Sequence, residues 1–190
     1  MDSDCELMLR LRDGDDLALN DLMRRWQKRL VSFLYRYVGN EAEALDLAQE
    51  TFVRVFKNRS RYSPKGKFST WLFAIASNLA RNCLRWQRRH PVVALDAEEG
   101  DAERNPVDQI PSGSDSPSEF AERQERVAAV RREIQALPHH LKTALLLFEY
   151  EDLGYAEIST ILGCSPKAVE TRLYRARTIL REKLERRNIK

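Results

Sequence analysis

Glycine is scarce in this chain, with only seven among 190 residues, and a strand pattern is missing altogether. A half-buried strand is a β-branched run that alternates with polar residues between turn residues, and no segment has that form. Long stretches of good helix formers fill the chain instead. The sequence therefore predicts an all-α fold.

Long hydrophobic runs are also absent. The longest uncharged run, from Phe68 to Ala80, is too short to span a bilayer. The N-terminus carries Asp2, Asp4 and Glu6 where a secretory signal requires a basic region followed by an apolar one. We therefore expect no membrane insertion and a cytoplasmic location.

Residues that carry catalytic or metal chemistry are few and badly spaced. The three cysteines and three histidines form no CxxC or HxxxH pair, so we expect neither a disulfide framework nor a metal site. A glycine-rich phosphate loop and a G-x-S-x-G elbow are both missing. The sequence thus predicts a protein that is not an enzyme and that has no cofactor.

The charge is unevenly distributed, although the formal net charge is only +3. The segment from Asp96 to Glu119 contains eight acidic residues against Arg104 alone, and four of the seven prolines fall between Pro91 and Pro117. Such a segment buries too little apolar surface to fold. We therefore predict two small helical domains, 1–91 and 123–190, joined by a flexible acidic linker at 92–122. Basic residues crowd at 81–89 and 172–190, which suggests two contacts with a polyanion.

The C-terminal domain has the pattern of a helix-turn-helix. Gly163 suits the end of a short helix, Ser165 can cap the next helix, and Pro166 suits its first turn. An apolar stripe then recurs at helical spacing: Val169, Leu173, Ala176, Leu180 and Leu184. The residues opposite or beside this stripe are Lys167, Thr171, Arg172, Tyr174 and Arg175. Such side chains can bind base edges and phosphates, but a solvated helix whose arginines pair with Glu170, Glu182 and Glu185 is the alternative.

The stretch ALPHHLKTALLLFEYEDLGYAEISTILGCSPKAVETRLYRARTILREKL resembles region 4 of the extracytoplasmic-function (ECF) sigma factors. The resemblance implies that Thr171, Arg172, Tyr174 and Arg175 meet the −35 element of a promoter, and Lys167 lies on the same outward side. Two features depart from the family pattern: Lys167-Ala168-Val169 replaces a common Gly-Thr-Val, and Glu170 replaces a frequent basic residue. A glutamate carboxylate can accept a hydrogen bond from the cytosine amine but repels phosphate, so we expect an unusual sequence preference at the −35 element.

The N-terminal domain offers a second candidate surface on the helix predicted from about Ser69 to Arg88. One side is apolar and includes Leu72, Leu79 and Trp86. The other side carries aromatic, amide and guanidinium groups: Trp71, Ser77, Asn78, Arg81, Asn82 and Arg85. Such groups suit unstacked bases. The alternative is that both tryptophans belong to the core, which we favour for Trp86 and leave open for Trp71.

The stretches EAEALDLAQETFVRVFKNRSRY and FSTWLFAIASNLARNCLRWQRR are similar to region 2 of the same family. The match implies a surface for the clamp helices of RNA polymerase, formed by Asp46, Gln49, Glu50, Val53 and Arg54. An ordinary solvated helix face is the alternative reading of that set. The match also implies that the loop before the next helix, with Lys65, Lys67 and Phe68, joins that helix in melting and holding the −10 element.

The resemblance therefore implies an alternative sigma factor that binds core RNA polymerase at its clamp helices and flap and directs initiation at promoter DNA. It further implies an anti-sigma factor as a partner. A helix-turn-helix regulator that acts without being a polymerase subunit is the alternative, and it would predict a stable dimer that binds duplex DNA unaided.

Overall fold

The computed structural model describes residues 3–90 and 117–187, and every regular element in those ranges is a helix. The helices are α1 (Ser3–Arg12), α2 (Leu17–Val38), α3 (Glu41–Lys57), α4 (Phe68–Arg89), α5 (Pro117–Gln135), α6 (His139–Glu149), α7 (Tyr155–Leu162) and α8 (Pro166–Arg186), with a 3-10 turn at Arg59–Arg61. The predicted all-α class with two helical domains is confirmed. None of the helices in these ranges is long and apolar enough to cross a membrane.

The first four helices form the N-terminal domain. The chain turns sharply after α2 because Gly39 adopts a left-handed conformation, with φ 86°, and its N–H donates to the Tyr35 carbonyl oxygen at 2.8 Å. Asn40 then caps α3 by accepting from the Glu43 N–H at 2.9 Å. Tight aromatic packing of Phe33 against Phe73 joins α2 to α4.

Helix α1 is an element that the sequence analysis does not predict. Its residues Met8 and Leu11 are fully buried, and the helix packs mainly against α2. Asp4 secures it there, because its carboxylate accepts from Arg25 and from the Trp26 indole N–H, both at 2.9 Å.

The C-terminal domain contains the predicted helix-turn-helix. Gly163 ends α7 with φ 60°, and Ser165 caps α8 by accepting from the Ala168 N–H at 3.2 Å. Val169, Leu173 and Ala176 of the predicted stripe are buried. Helix α6 carries a run of seven buried residues from 141 to 147 and forms the centre of the domain.

Residues 91–116, which hold most of the predicted acidic linker, lie outside the described residues. Helix α5 begins at Pro117, inside the segment assigned to the linker. Proline suits the first turn of a helix, where its missing N–H would have no intrahelical partner.

The two domains pack against each other, since α4 contacts α7 and α2 contacts both α5 and α6. Tyr37 is fully buried at this contact, and its hydroxyl lies 3.0 Å from Oγ1 of Thr143. Lys142 is also buried and donates to the Tyr37 carbonyl oxygen at 3.1 Å. We call this packing the closed arrangement.

Candidate nucleic-acid interface

Helix α8 presents a polar surface opposite its buried stripe. Lys167, Thr171, Tyr174 and Arg175 are exposed, and Tyr174 is 71% exposed. Arg172 is half-buried because it faces the N-terminal domain. Thr171 donates its hydroxyl proton to the Lys167 carbonyl oxygen at 3.0 Å, which leaves its methyl group and an oxygen lone pair facing outward. The surface can therefore contact base edges as the sequence predicts.

Glu170, the residue least typical of this helix pattern, pairs with its neighbour. Lys167 Nζ lies 2.7 Å from Glu170 Oε2, and both side chains are more than half exposed. An ion pair this exposed contributes little to stability. Glu170 nevertheless places one negative charge on an otherwise basic surface, and it holds the side chain of Lys167, the nearest lysine.

Some arginines and lysines of α8 support the fold instead of facing outward. Arg177 donates twice to Glu149 Oε1, at 2.6 and 3.1 Å, and lies over the Phe148 ring. Lys183 and Arg187 both pair with the buried Glu133, which holds the pKa of that carboxyl below its ordinary value. Across the described ranges, Arg172, Arg175 and Arg181 form no such pair. Arg177 pairs with Glu149 of α6, and none of these four arginines pairs with Glu170, Glu182 or Glu185 in the described ranges, so the alternative of a helix neutralised by its own glutamates does not account for them.

Helix α4 presents the second surface. Asn78, Arg81, Asn82 and Arg85 are exposed along it. Trp71 is half-buried, with its ring 5.3 Å from Tyr62 and 6.4 Å from Phe68 between centroids. It is thus part core and part surface, which answers the question that the sequence left open.

Three side chains of α4 lie elsewhere than the sequence analysis places them. Phe68 is fully buried against Trp26, at 6.0 Å between ring centroids, because the helix begins inside the core. Ser77 is buried and donates to the Phe73 carbonyl oxygen. Trp86, which we expected in the core, is 57% exposed and stacks on His90, since this end of α4 extends beyond the helices that pack on it.

The α3 face predicted to bind polymerase is solvent-facing. Asp46, Gln49, Val53 and Arg54 are exposed, and Glu50 is half-buried and accepts from Arg54 Nε at 2.8 Å. Leu45 on the same helix is also exposed, at 40%. It lies eight positions before Val53, so the two aliphatic side chains fall within one exposed stripe of α3.

The two basic surfaces meet in the closed arrangement. An interdomain cavity of about 100 Å³ is lined by Ser77, Asn78 and Arg81 of α4 and by His139, His140, Thr143, Ile161, Leu162 and Arg172 of the C-terminal domain. At the same domain contact, Lys67 Nζ of the N-terminal domain lies 3.0 Å from Glu157 Oε1 of α7. Candidate DNA-binding residues of both domains, including Lys67, Arg81 and Arg172, thus lie at the contact between the domains.

Comparison with known proteins identifies both domains. Residues 22–90 match the model of Sigma-70 region 2, and residues 128–180 match that of Sigma-70, region 4. The chain is 34% identical to the RNA polymerase sigma-H factor of Pseudomonas aeruginosa, with 97% of this chain and 95% of the relative covered. It is 33% identical to the ECF RNA polymerase sigma-E factor of Haemophilus influenzae, with 96% of each covered.

This chain belongs to the ECF sigma factors of RNA polymerase. It is an alternative sigma factor that binds core RNA polymerase and directs initiation at promoters, and the alternative of a regulator acting apart from polymerase is set aside. The fold also resembles that of the sigma factor RpoE in complex with the anti-sigma factor NepR from Bartonella quintana. That structure is 19% identical with a TM-score of 0.64, covering 87% of this chain and 96% of that chain.

Sequence reasoning missed the residues that hold this sigma factor closed. Burial raises the pKa of Glu151 to about 7, although Arg29 lies against its carboxylate and acts in the opposite direction. Burial also lowers the pKa of Lys142 to about 8. No local pattern marks either residue, because each is buried by the other domain.

Within 3–90 and 117–187, no three His, Cys, Asp or Glu side chains converge as metal ligands do.

Proposed function

We propose that this sigma factor reads the −35 element with α8, through Lys167, Thr171, Arg172, Tyr174 and Arg175. The observation that carries the proposal is the combination of an exposed tyrosine, an outward threonine and arginines without carboxylate partners on one face of a capped helix. Arginine can bind guanine bidentately, and the threonine methyl suits thymine.

The −10 element is held by α4 and the loop before it, through Lys65, Lys67, Trp71, Asn78, Arg81, Asn82 and Arg85. The exposure of the amides and arginines supports this assignment, and the accessible edge of Trp71 supports a stacking role. We omit Phe68, because a fully buried ring supports the loop from inside. Unstacked bases can be stabilised by stacking and by cations together.

The α3 face formed by Asp46, Gln49, Glu50, Val53 and Arg54, extended by Leu45, docks on the clamp helices of the polymerase. Two exposed aliphatic residues within a charged rim form the kind of surface that a partner covers. Region 4 docks on the flap. The energy that melts the promoter duplex then comes from binding alone, so the protein acts as a non-enzymatic subunit. It does so in the cytoplasm, where polymerase and promoters are found.

The domains separate before they read a promoter. The −10 and −35 elements lie about 25 base pairs apart, more than two turns of roughly 34–36 Å each. Arg81 and Arg172 line one small cavity in the closed arrangement, so one promoter cannot engage both surfaces in that state. A tether that ends where α5 begins, at Pro117 and not at residue 123, allows this separation.

An anti-sigma factor that holds the closed arrangement is the further partner we propose. The solved complex of a sigma factor with an anti-sigma factor supports this, since its fold resembles that of the present chain. The closed arrangement hides part of both DNA surfaces, so any protein that binds it preferentially inhibits promoter binding.

The experiment is transcription in vitro with core polymerase and a promoter library. We expect specific initiation, and the double change Arg172→Ala and Arg175→Ala should weaken −35 binding by roughly 1–3 kcal/mol for each residue. Arg186→Ala is the matched control, because it is exposed on the same helix about 16 Å beyond Arg175. Core binding without specific initiation would contradict the proposal for the DNA surfaces, as would equal effects of the control.

A further inference from the structure

The interdomain cavity concentrates positive charge without a counter-charge. Its lining includes Arg81 and Arg172, one from each domain, together with His139 and His140. Aspartate and glutamate are absent from that lining as far as the structure describes it. The cavity also has room for several water-sized groups.

Other basic residues at the domain contact have acceptors. Lys142 donates to a carbonyl oxygen, Lys67 pairs with Glu157, and Arg29 pairs with Glu151. Neither Arg81 nor Arg172 has an ion pair or hydrogen bond to any residue in the ranges 3–90 and 117–187. Two guanidinium groups at one small cavity repel each other when nothing negative lies between them.

The positive charge at the cavity acts on His139. Burial lowers the pKa of His139, and the positive charges of Arg81 and Arg172 lower it further, with His140 and Lys142 acting in the same direction. Both arginines are therefore close enough to act on the same imidazole. A single group that neutralises both of them must carry negative charge, and it needs several acceptor atoms to bind both.

We propose that this cavity binds an oxyanion of the phosphate class between Arg81 of α4 and Arg172 of α8. A tetrahedral oxyanion offers acceptors in several directions, so it can bind one guanidinium from each domain at once. His140 of α6 and the second N–H of the Asn78 amide of α4 also line the cavity, one from each domain, as further donors. The bound anion joins the two domains and stabilises the closed arrangement.

A regulatory consequence follows, and this part alone rests on the proposed function. Arg81 and Arg172 are assigned to the −10 and −35 surfaces, so the anion and promoter DNA compete for the same side chains. Phosphate at the cavity therefore holds the sigma factor in the state that does not bind promoters. The ligand is either inorganic phosphate or the phosphoryl group of a nucleotide.

The first test is calorimetric titration of the full chain with inorganic phosphate, and separately with a nucleoside monophosphate, against chloride at matched ionic strength. We expect binding of one anion per chain, weakened at least about tenfold by Arg81→Gln or Arg172→Gln. The matched controls are Arg85→Gln and Arg175→Gln, which remove exposed arginines on the same two helices outside the cavity. Absence of binding for both anions, or equal losses in the controls, overturns the proposal.

Small-angle X-ray scattering separates a binding role from a structural one. Phosphate should decrease the radius of gyration of the wild type but not of the cavity variants. In chloride alone, Arg81→Gln should be at least as compact as the wild type, because one of two repelling charges is gone. A variant that is less compact in chloride overturns the proposal. Neither measurement involves DNA or polymerase, so a failure of the proposed promoter surfaces would leave both results intact.

Discussion

Arg29 and Glu151 connect the two domains although they lie 122 positions apart in the chain. Arg29 Nε donates to Glu151 Oε2 at 3.1 Å, and its second nitrogen donates to the Glu151 carbonyl oxygen at 3.1 Å. The Glu151 side chain is 2% exposed, whereas that of Arg29 is 47% exposed. The carboxylate is buried in the closed arrangement, and the arginine that donates to it is half exposed and belongs to the other domain, so this ion pair should form only when the domains are closed.

Arg29→Ala should therefore loosen the closed arrangement. It leaves the buried Glu151 without its counter-charge, which we expect to cost about 1–3 kcal/mol. Faster hydrogen exchange of the α6 and α7 backbone amides would show the loss. Arg24→Ala is the control on the same helix, since Arg24 is 79% exposed in a pair with Asp21 and should change exchange little. Identical exchange in the two variants would contradict this role for Arg29.

Closure should also respond to pH through Glu151. Its pKa is raised to about 7 by burial, so the closed state retains a proton that the open state releases near the ordinary value of 4.5. The stability linked to this group is present below the ordinary pKa and is lost as the pH rises through about 7. Between about pH 5 and 8, the wild type should lose unfolding free energy relative to Glu151→Gln, measured by urea denaturation at each pH. A constant difference between the two proteins would exclude the effect.

The helix-turn-helix was predictable because its signals are local. Gly163, Ser165 and Pro166 specify the turn and the helix start, and the stripe from Val169 follows at helical spacing. Gly39 and Asn40 mark the break between α2 and α3 in the same way. Family resemblance supplied the functional assignment that these local signals could not.

Features that depend on contacts between distant parts of the chain could not be predicted from local sequence patterns. Helix α1 is short, and its buried Met8 and Leu11 are explained by packing on α2. Trp86 matches the apolar spacing of α4, yet it is 57% exposed among the residues that the structure describes. The Arg29–Glu151 pair and the interdomain cavity involve residues that no local pattern relates.

The α3 face gives a prediction about polymerase binding. Val53→Glu places a charge in the exposed aliphatic stripe that Leu45 shares, which should weaken affinity for core polymerase by at least about tenfold. The fold should tolerate the change, because surface substitutions usually alter stability by less than about 0.5 kcal/mol. Leu17→Glu is the control, since Leu17 is 71% exposed on α2. Fluorescence anisotropy of each labelled sigma variant, titrated with core polymerase, would measure the affinities, and equal affinities for the two variants would remove α3 from the polymerase interface.

Tyr174 gives the sharpest test of the −35 surface, because its side chain is 71% exposed and therefore contributes little to the fold. Tyr174→Ala should leave the thermal midpoint nearly unchanged while weakening binding to a −35 duplex by about 1–3 kcal/mol. Tyr174→Phe divides that loss into its parts: it keeps the ring for contact with a thymine methyl and removes only the hydroxyl. If both variants bind the duplex more weakly, the Tyr174 hydroxyl forms a hydrogen bond with it. If only the alanine variant binds more weakly, the Tyr174 ring forms an apolar contact. Unchanged binding by Tyr174→Ala would exclude the residue from recognition and shift base reading toward Thr171 and Arg175.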